Sequence, residues 1–419
     1  MASVTPHSQT GPGPEEDPRA GVGSPDPSLV IIGASARAWA ASARRAGITI
    51  HAADLFADRD LLSLGEAIAI PVAEYPLGFI PVVAGFPPGP WCYTGAIENH
   101  PDLIDAIAAR RPLAGNGGAA VRRVRSHSHL ARVLADAGLR FPSTQTSPVG
   151  LPTDGSWLTK PAASAGGRGI APWRGGNPRG DSVEGDGGRV WQQRIDGTPV
   201  AASFLLGSGK SRFLGASRQL SGVAAWHAKP FAYCGSIDLP PDEVADRQRE
   251  AWERIGSMLE REFGLLGAVG VDAMVTSAGE LVVIEINPRP TASMELVERR
   301  TGMSIAARHL ATHQEPTPGV RSRCSFPPSG GAWAKGILRA GGELHIDPRV
   351  DALLSDLDGR WTRHDHWPAL ADLPRCGTLI PAGSPLLTVF AVADNPPTAS
   401  RLLAERAAIV DRSLRAVVS

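Results

Sequence analysis

Along the chain, short apolar runs give way to helical and then alternating patterns. Residues 29–33 read Leu29-Val30-Ile31-Ile32-Gly33, an apolar run closed by glycine, and an alanine-rich stretch (34–46) and a second run (48–52) follow. This strand, helix, strand order predicts a parallel sheet with crossover helices over residues 28–118, with Asp54 just after the second strand and 80–84 as a later strand. From 119 to 137, Val121, Val124, Leu130, Val133 and Leu134 recur at helical spacing and Gly138 supplies a stop, so one helix is expected there.

Beyond Phe141-Pro142 the pattern turns to strands. These fall at 156–161, 190–195, 200–206 and 212–217, with a glycine-rich turn at 165–169 and a Gly/Arg/Asp stretch at 175–188. The loop 222–236 carries several aromatics and reads as a substrate-side connection. A helix over 243–263 places Trp252, Ile255, Met258 and Leu259 on one face, and strands 268–275 and 281–286 flank the hairpin turn 276–280. The expected organisation is a tail (1–27), a Rossmann-like domain (28–118), a central domain (119–315) with a lid at about 140–190, a Pro/Gly/Ser linker (316–331), and a small β-rich module (332–419) closing in a helix. The fold class is mixed α/β and α+β.

Composition narrows the function. Apolar residues make up 42% and charged residues 20% of 419, and 42 basic side chains balance 42 acidic ones, so nothing points to nucleic acid or an anionic membrane. The opening segment lacks a basic start and apolar core, and no later stretch reaches the roughly 18 apolar residues of a membrane helix, so a soluble protein is expected. Cys92, Cys234, Cys324 and Cys376 show neither zinc nor disulfide spacing, which fits a reducing cytoplasm. The lysines are Lys160, Lys210, Lys229 and Lys335, so each is worth inspecting.

The strongest chemical signal is the hairpin. Glu285 and Asn287, two apart, share one face of the second strand, and Asp272 on the first strand comes opposite that end. Three hard oxygen donors converging this way suit magnesium, which leaves its other positions to water and phosphate. The carboxylates are embedded in apolar sequence, where an ion without a partner is expensive. Arg289, next along on a proline-stiffened segment, can stabilise a transferring phosphoryl group or an acyl phosphate; an ion pair with Glu295 or Glu298 is the competing role. Lys160 ends an apolar strand before Gly166, Gly167 and Gly169, a loop whose N–H groups can approach phosphates. Gln193, Arg194 and Ile195 end a strand at a polar turn, an edge able to bind adenine. Arg218, Lys229 and Tyr233 flank the central loop as candidate acceptor-site residues. Neither GxGxxG nor GxxxxGK[ST] is present.

Taken in order, these features resemble the ATP-grasp superfamily over residues 119–311, most specifically through Ile284-Glu285-Ile286-Asn287-Pro288-Arg289-Pro290. The resemblance implies an ATP-grasp fold preceded by a Rossmann-like domain. It assigns Lys160 to phosphate, the Gln192–Ile195 segment to adenine, and Asp272, Glu285 and Asn287 to Mg2+ or Mn2+. The implied reaction activates a small-molecule carboxylate with ATP as an acyl phosphate, which an amine then attacks. The tail segments around Gly377-Thr378-Leu379-Ile380 and Thr388-Val389-Phe390-Ala391 are similar to the closing module of carboxylase-type members, and the 52–60 segment to ATP-grasp proteins of methanopterin-linked one-carbon metabolism. Departures are Gln193 where many members have Glu, Thr198-Pro199 where an acid often holds the ribose, and His127 where carboxylase-type members carry a lysine. A biotin-carboxylase-like reaction and a non-catalytic nucleotide binder stay open as alternatives, as does a homodimer as the assembly.

Overall fold

The computed structural model describes residues 27–176, 188–207, 209, 211–240, 243–313, 330–362 and 367–418. The expected N-terminal tail, most of the 175–188 stretch and most of the 316–331 linker lie outside the described residues.

The chain opens with β1 (Ser28–Ile32), α1 (Arg37–Arg45), β2 (Thr49–Asp54), α2 (Arg59–Leu64), β3 (Glu66–Ala69), α3 (Phe79–Gly85), β4 (Trp91–Tyr93) and α4 (Pro101–Ala108). The strands form the expected parallel sheet, in the order β3-β2-β1-β4. Alternation along β1 sends Leu29 and Ile31 into a core with Trp39, Ala40 and Ala43 of α1, and Val30 and Ile32 into a core with Phe79, Val83, Leu103 and Ile104. A strand buried on both faces reads as an unbroken apolar run. Residues 80–84 are a correction: they belong to helix α3, where Pro81 sits in the first turn and gives up no intrahelical bond, while Phe79 and Val83 share the buried face. The true later strand, β4, is only three residues long.

The helix expected over 119–137 is two, α5 (Gly118–Arg125) and α6 (His127–Asp136), broken at an extended Ser126. Its apolar residues serve different cores: Val121 joins the N-terminal domain, while Val124, Leu130, Val133 and Leu134 join the central one. Then come β5 (Thr144–Gln145), β6 (Trp157–Pro161), β7 (Ala171–Pro172) and β8 (Arg189–Gln193), an antiparallel sheet ordered β5-β8-β6-β7.

The remaining elements are β9 (Thr198–Leu206), β10 (Arg212–Ser221), β11 (Tyr233–Leu239), α7 (Asp246–Phe263), β12 (Gly267–Val275), β13 (Leu281–Asn287), α8 (Met294–Thr301), α9 (Ile305–His313), β14 (Ala332–Arg339), β15 (Leu344–His345), α10 (Pro348–Trp361), β16 (Leu370–Ala371), β17 (Leu379–Ile380), β18 (Pro385–Ala393) and α11 (Pro396–Val418). Among the described residues one sheet runs β13-β12-β9-β10-β11-β14-β18-β16. The C-terminal strands therefore extend the central sheet, with β14 pairing β11 from Gly235–Gly336 to Ile237–Ala334. Trp252, Ile255, Met258, Leu259 and Phe263 of α7 cover one face of the β13 half, and α10 and α11 pack on the other half. No helix among the described residues is long and apolar enough to cross a membrane.

Candidate active site

The hairpin β12–β13 puts Asp272 directly opposite Glu285, and Gly270 opposite Asn287. Asp272 Oδ2 accepts from Asn287 Nδ2 at 2.9 Å, and Oδ1 from Gln219 Nε2 at 2.7 Å. Gln219 comes from β10, two strands away, and reaches across because β9 places the small Ala201 beside Asp272 and opposite Ser217. Glu285 accepts from Arg125 Nη1 at 3.0 Å. Burial, then the negative charge of Glu285, push the Asp272 carboxyl up from its ordinary 3.8 to about 6. Two adjacent carboxylates, offering oxygen donors only, form a set that a hard cation satisfies. Asn287 completes it only when its amide turns the oxygen inward, which gives up the bond its Nδ2 makes to Asp272 and the one its Oδ1 takes from Arg289.

Arg289 lies beside this set. Its Nη2 donates to Asn287 Oδ1 at 3.0 Å and to Glu98, which is buried and held below the usual carboxylate range, its burial outweighed by Arg289 and Arg125. The competing partners expected for Arg289 are engaged elsewhere: Glu295 with Arg37 and Lys335, Glu298 with Arg45 and Ser42. Arg289 Nε is buried without a hydrogen-bond partner, so one edge of the guanidinium keeps a donor to spare.

Lys160 reaches the same place from the other sheet. Its ammonium donates to Gln192, and burial lowers its pKa against the pull of Glu285 and Asp272. His127 at the start of α6 lies within the same field: burial lowers its pKa, Glu285 raises it, and Lys160 and Arg125 lower it further. Two positive groups thus attend the carboxylates: Arg125, from α5, bonds Glu285 directly, and Lys160, from β6, lies within the field of Glu285 and Asp272.

The glycine loop after Lys160 bends through left-handed conformations at Gly166, Gly167 and Gly169, with φ of 64°, 77° and 72°. It docks on the loop before β11, where the Tyr233 N–H donates to Gly166 O at 2.9 Å and a Cβ on Gly167 would stand 2.0 Å from Phe231 O. Tyr233 is pinned by a 2.8 Å bond with Ser236, and burial raises its phenol. At the end of β8, Gln193 and Arg194 are exposed and spend their N–H groups on Ser143 O and Ser156 O, both at 2.8 Å. The Ile195 N–H has no partner among the described residues and stays available to a planar ring. The side chain turned inward is Gln192. Arg218 is exposed on the side of β10 opposite Gln219, and Lys229 is exposed as well.

Arg125, Gln219 and Glu98 are the residues that sequence reasoning did not single out for the site. Gln219 was accessible only through register, since alternation puts it and Arg218 on opposite faces without saying which face meets Asp272.

A family model described as an ATP-grasp domain matches residues 124–293, which span Arg125, Lys160, the glycine loop, Gln219, Asp272, Glu285, Asn287 and Arg289. The chain carries an ATP-grasp domain. Solved structures share its fold at low identity. The biotin carboxylase domain of Hydrogenobacter thermophilus 2-oxoglutarate carboxylase, in complex with MgADP, ADP and bicarbonate, is 15% identical with a TM-score of 0.63, covering 89% of this chain and 88% of that one. A carboxyaminoimidazole ribonucleotide synthase from Aspergillus clavatus complexed with ATP is 12% identical with a TM-score of 0.64, covering 92% and 99%. The N5-carboxyaminoimidazole ribonucleotide synthetase of Thermus thermophilus is 15% identical with a TM-score of 0.61, covering 92% and 98%. Comparison with curated protein sequences finds no match. At these coverages the shared fold reaches well beyond the ATP-grasp segment, to the parallel sheet before it and the strands after it.

Proposed function

We propose that this protein is an ATP- and magnesium-dependent ligase that activates a carboxylate as its acyl phosphate and joins it to an amine. The observation that carries this reading is the meeting of Asp272, Glu285 and Asn287 with Lys160 and Arg289 within the segment that matches an ATP-grasp domain. Asp272, Glu285 and Asn287 would hold the magnesium ion, which when bound neutralises and aligns nucleotide phosphates. Lys160 binds phosphate oxygens as a point charge, and Arg289, oriented by Glu98, offers its spare donors where negative charge grows on the transferring group. The Ile195 edge takes the adenine, and the docked glycine loop keeps water from the phosphates. Nothing in this chemistry needs a nucleophilic side chain: positioning and charge neutralisation suffice.

A second reading takes bicarbonate as the carboxylate. The shared fold with the biotin carboxylase domain supports it, while the sequence has no biotin-carrying Met-Lys-Met. The likeness of the 52–60 segment supports assembly of a one-carbon-carrier coenzyme as the setting. The test is ADP release by the full chain with MgATP and paired carboxylates and amines, bicarbonate included. Release that requires both an acid and an amine supports the ligase; release with bicarbonate and no organic acid supports the second reading; no release with any pair, despite MgATP binding, refutes both.

A further inference from the structure

The 52–60 segment folds into a buried acidic cluster at the carboxyl ends of β1 and β2, the edge where open α/β sheets place ligands. Most of its carboxylates are fully engaged. Asp54 accepts from the N–H groups of Ala36 and Phe56 at 2.9 Å and of Ala57 at 2.7 Å. Asp60 accepts from the N–H groups of Asp372 at 2.8 Å and Leu373 at 2.9 Å, which tie the N-terminal domain to the C-terminal strands. Asp372 is held by Arg37 Nε at 2.9 Å, and Glu295 by Arg37 Nη1 at 2.6 Å and Lys335 Nζ at 3.0 Å.

Asp58 is the exception. It is 8% exposed, and it occupies the N-cap position of α2, where an aspartate ordinarily accepts from the first helical N–H groups, yet its side chain makes no capping bond. No hydrogen bond or ion pair from any described residue reaches its carboxylate. It faces Asp372, Asp60 and Asp54, with Arg37 as the nearby cation, and Arg37 is already committed to Glu295 and Asp372. Burial and then these neighbouring acids push its carboxyl up to about 8. Its oxygens are not sealed from solvent, so the carboxylate is without a protein partner and still within reach of a ligand. The cluster as a whole sets Asp54, Asp58, Asp60, Asp372 and Glu295 against Arg37, Lys335 and Arg299. Acids therefore outnumber cations there.

The cluster also borders the reaction site. Lys335 Nζ donates to Ala292 O at 3.2 Å, in the segment that continues from Asn287 and Arg289, and the β4 loop carries Gly95, 3.7 Å by its Cβ position from the Arg289 guanidinium. A nitrogen cation needs only one unpaired carboxylate among acidic neighbours.

We infer that Asp58 recognises a cationic nitrogen, a primary ammonium or a guanidinium, on the acceptor substrate. This rests on the ligase reading, which supplies an amine substrate, and it names the group on the protein that meets it.

The test uses the full chain and its Asp58→Asn and Asp58→Glu variants, with putrescine, glycinamide and methylguanidinium as probes and butane-1,4-diol and glycolamide as uncharged counterparts. Calorimetry should show at least one cationic probe binding wild type and not its counterpart, with affinity reduced about tenfold or more in Asp58→Asn and partly kept in Asp58→Glu. At pH 9, above its raised pKa, the unliganded Asp58→Asn protein should unfold at the same temperature as wild type or higher, because there it loses a charge that has no protein partner. Equal probe affinity in wild type and Asp58→Asn, binding of no cationic probe to wild type, or a lowered melting temperature for the unliganded variant overturns the assignment. Should Asp58→Asn not fold, Asp58→Ser carries the same comparison. MgATP affinity, measured on the same proteins, should be unchanged in the variants; its absence in wild type would sink the ligase reading without touching the probe result.

Discussion

Replacing Asp272 with asparagine tests the metal site through stability as well as turnover. Burial and the charge of Glu285 raise this carboxyl from 3.8 to about 6, so ionising it in the folded protein costs roughly 3 kcal/mol more than in the unfolded chain. The folded state holds the proton more tightly, so this group's penalty is absent below pH about 4, grows as pH climbs through 6, and is fully felt above it. Asp272→Asn removes that penalty at pH 7.5. It also spoils one of the two bonds from Asn287 and Gln219, a loss of about 1 kcal/mol, which leaves the unliganded variant about 2 kcal/mol more stable than wild type. MgATP reverses the order: at a hundredfold excess over Kd it stabilises wild type by about 2.7 kcal/mol, and a variant that has lost the cation gains little. Urea unfolding followed by tryptophan fluorescence, at pH 7.5 and pH 4, with and without MgATP, reads all four states. A variant less stable than wild type without ligand, or one that gains as much from MgATP, refutes the argument.

Other perturbations probe the rest of the cleft. Lys160→Ala should raise the Kd for MgATP about tenfold or more by calorimetry, since it removes a buried ammonium that lies within the field of Glu285 and Asp272. Arg289→Lys should keep ATP binding but lower kcat by about a hundredfold, because a point charge cannot hold Glu98 and Asn287 and also present a planar donor edge; unchanged kcat would remove Arg289 from the reaction. Gly167→Ala forces a Cβ to 2.0 Å from Phe231 O at a φ of 77°, so the glycine loop must leave its dock, raising KM for ATP while far-ultraviolet circular dichroism stays the same.

Much of this was legible in the chain because local rules and tertiary demands agree. The Leu29–Gly33 run became β1, and the β12–β13 hairpin aligned Asp272 with Glu285, because a strand period of two leaves few choices once the turn is set. Where two environments meet, the pattern misled. Ile80–Ala84 is apolar enough for a strand, yet Pro81 and the Phe79–Val83 spacing serve a short helix, and the 119–137 periodicity continues across a break because its residues feed two cores. Partners distant in sequence could not be read at all. Gln219 finds Asp272, and Glu98 finds Arg289, through packing between elements that no local window contains.

The long sheet has a consequence for how the protein comes into being. Because β14 and β18 extend the sheet that β9 and β10 belong to, and Lys335 from β14 grips Glu295 just beyond the hairpin, a ribosome that has released only the family-matched segment has not yet made the strand that braces the hairpin's far side. Shortened versions ending before β14 would expose the bare edge of β11 and tend to stick to one another instead of turning over ATP.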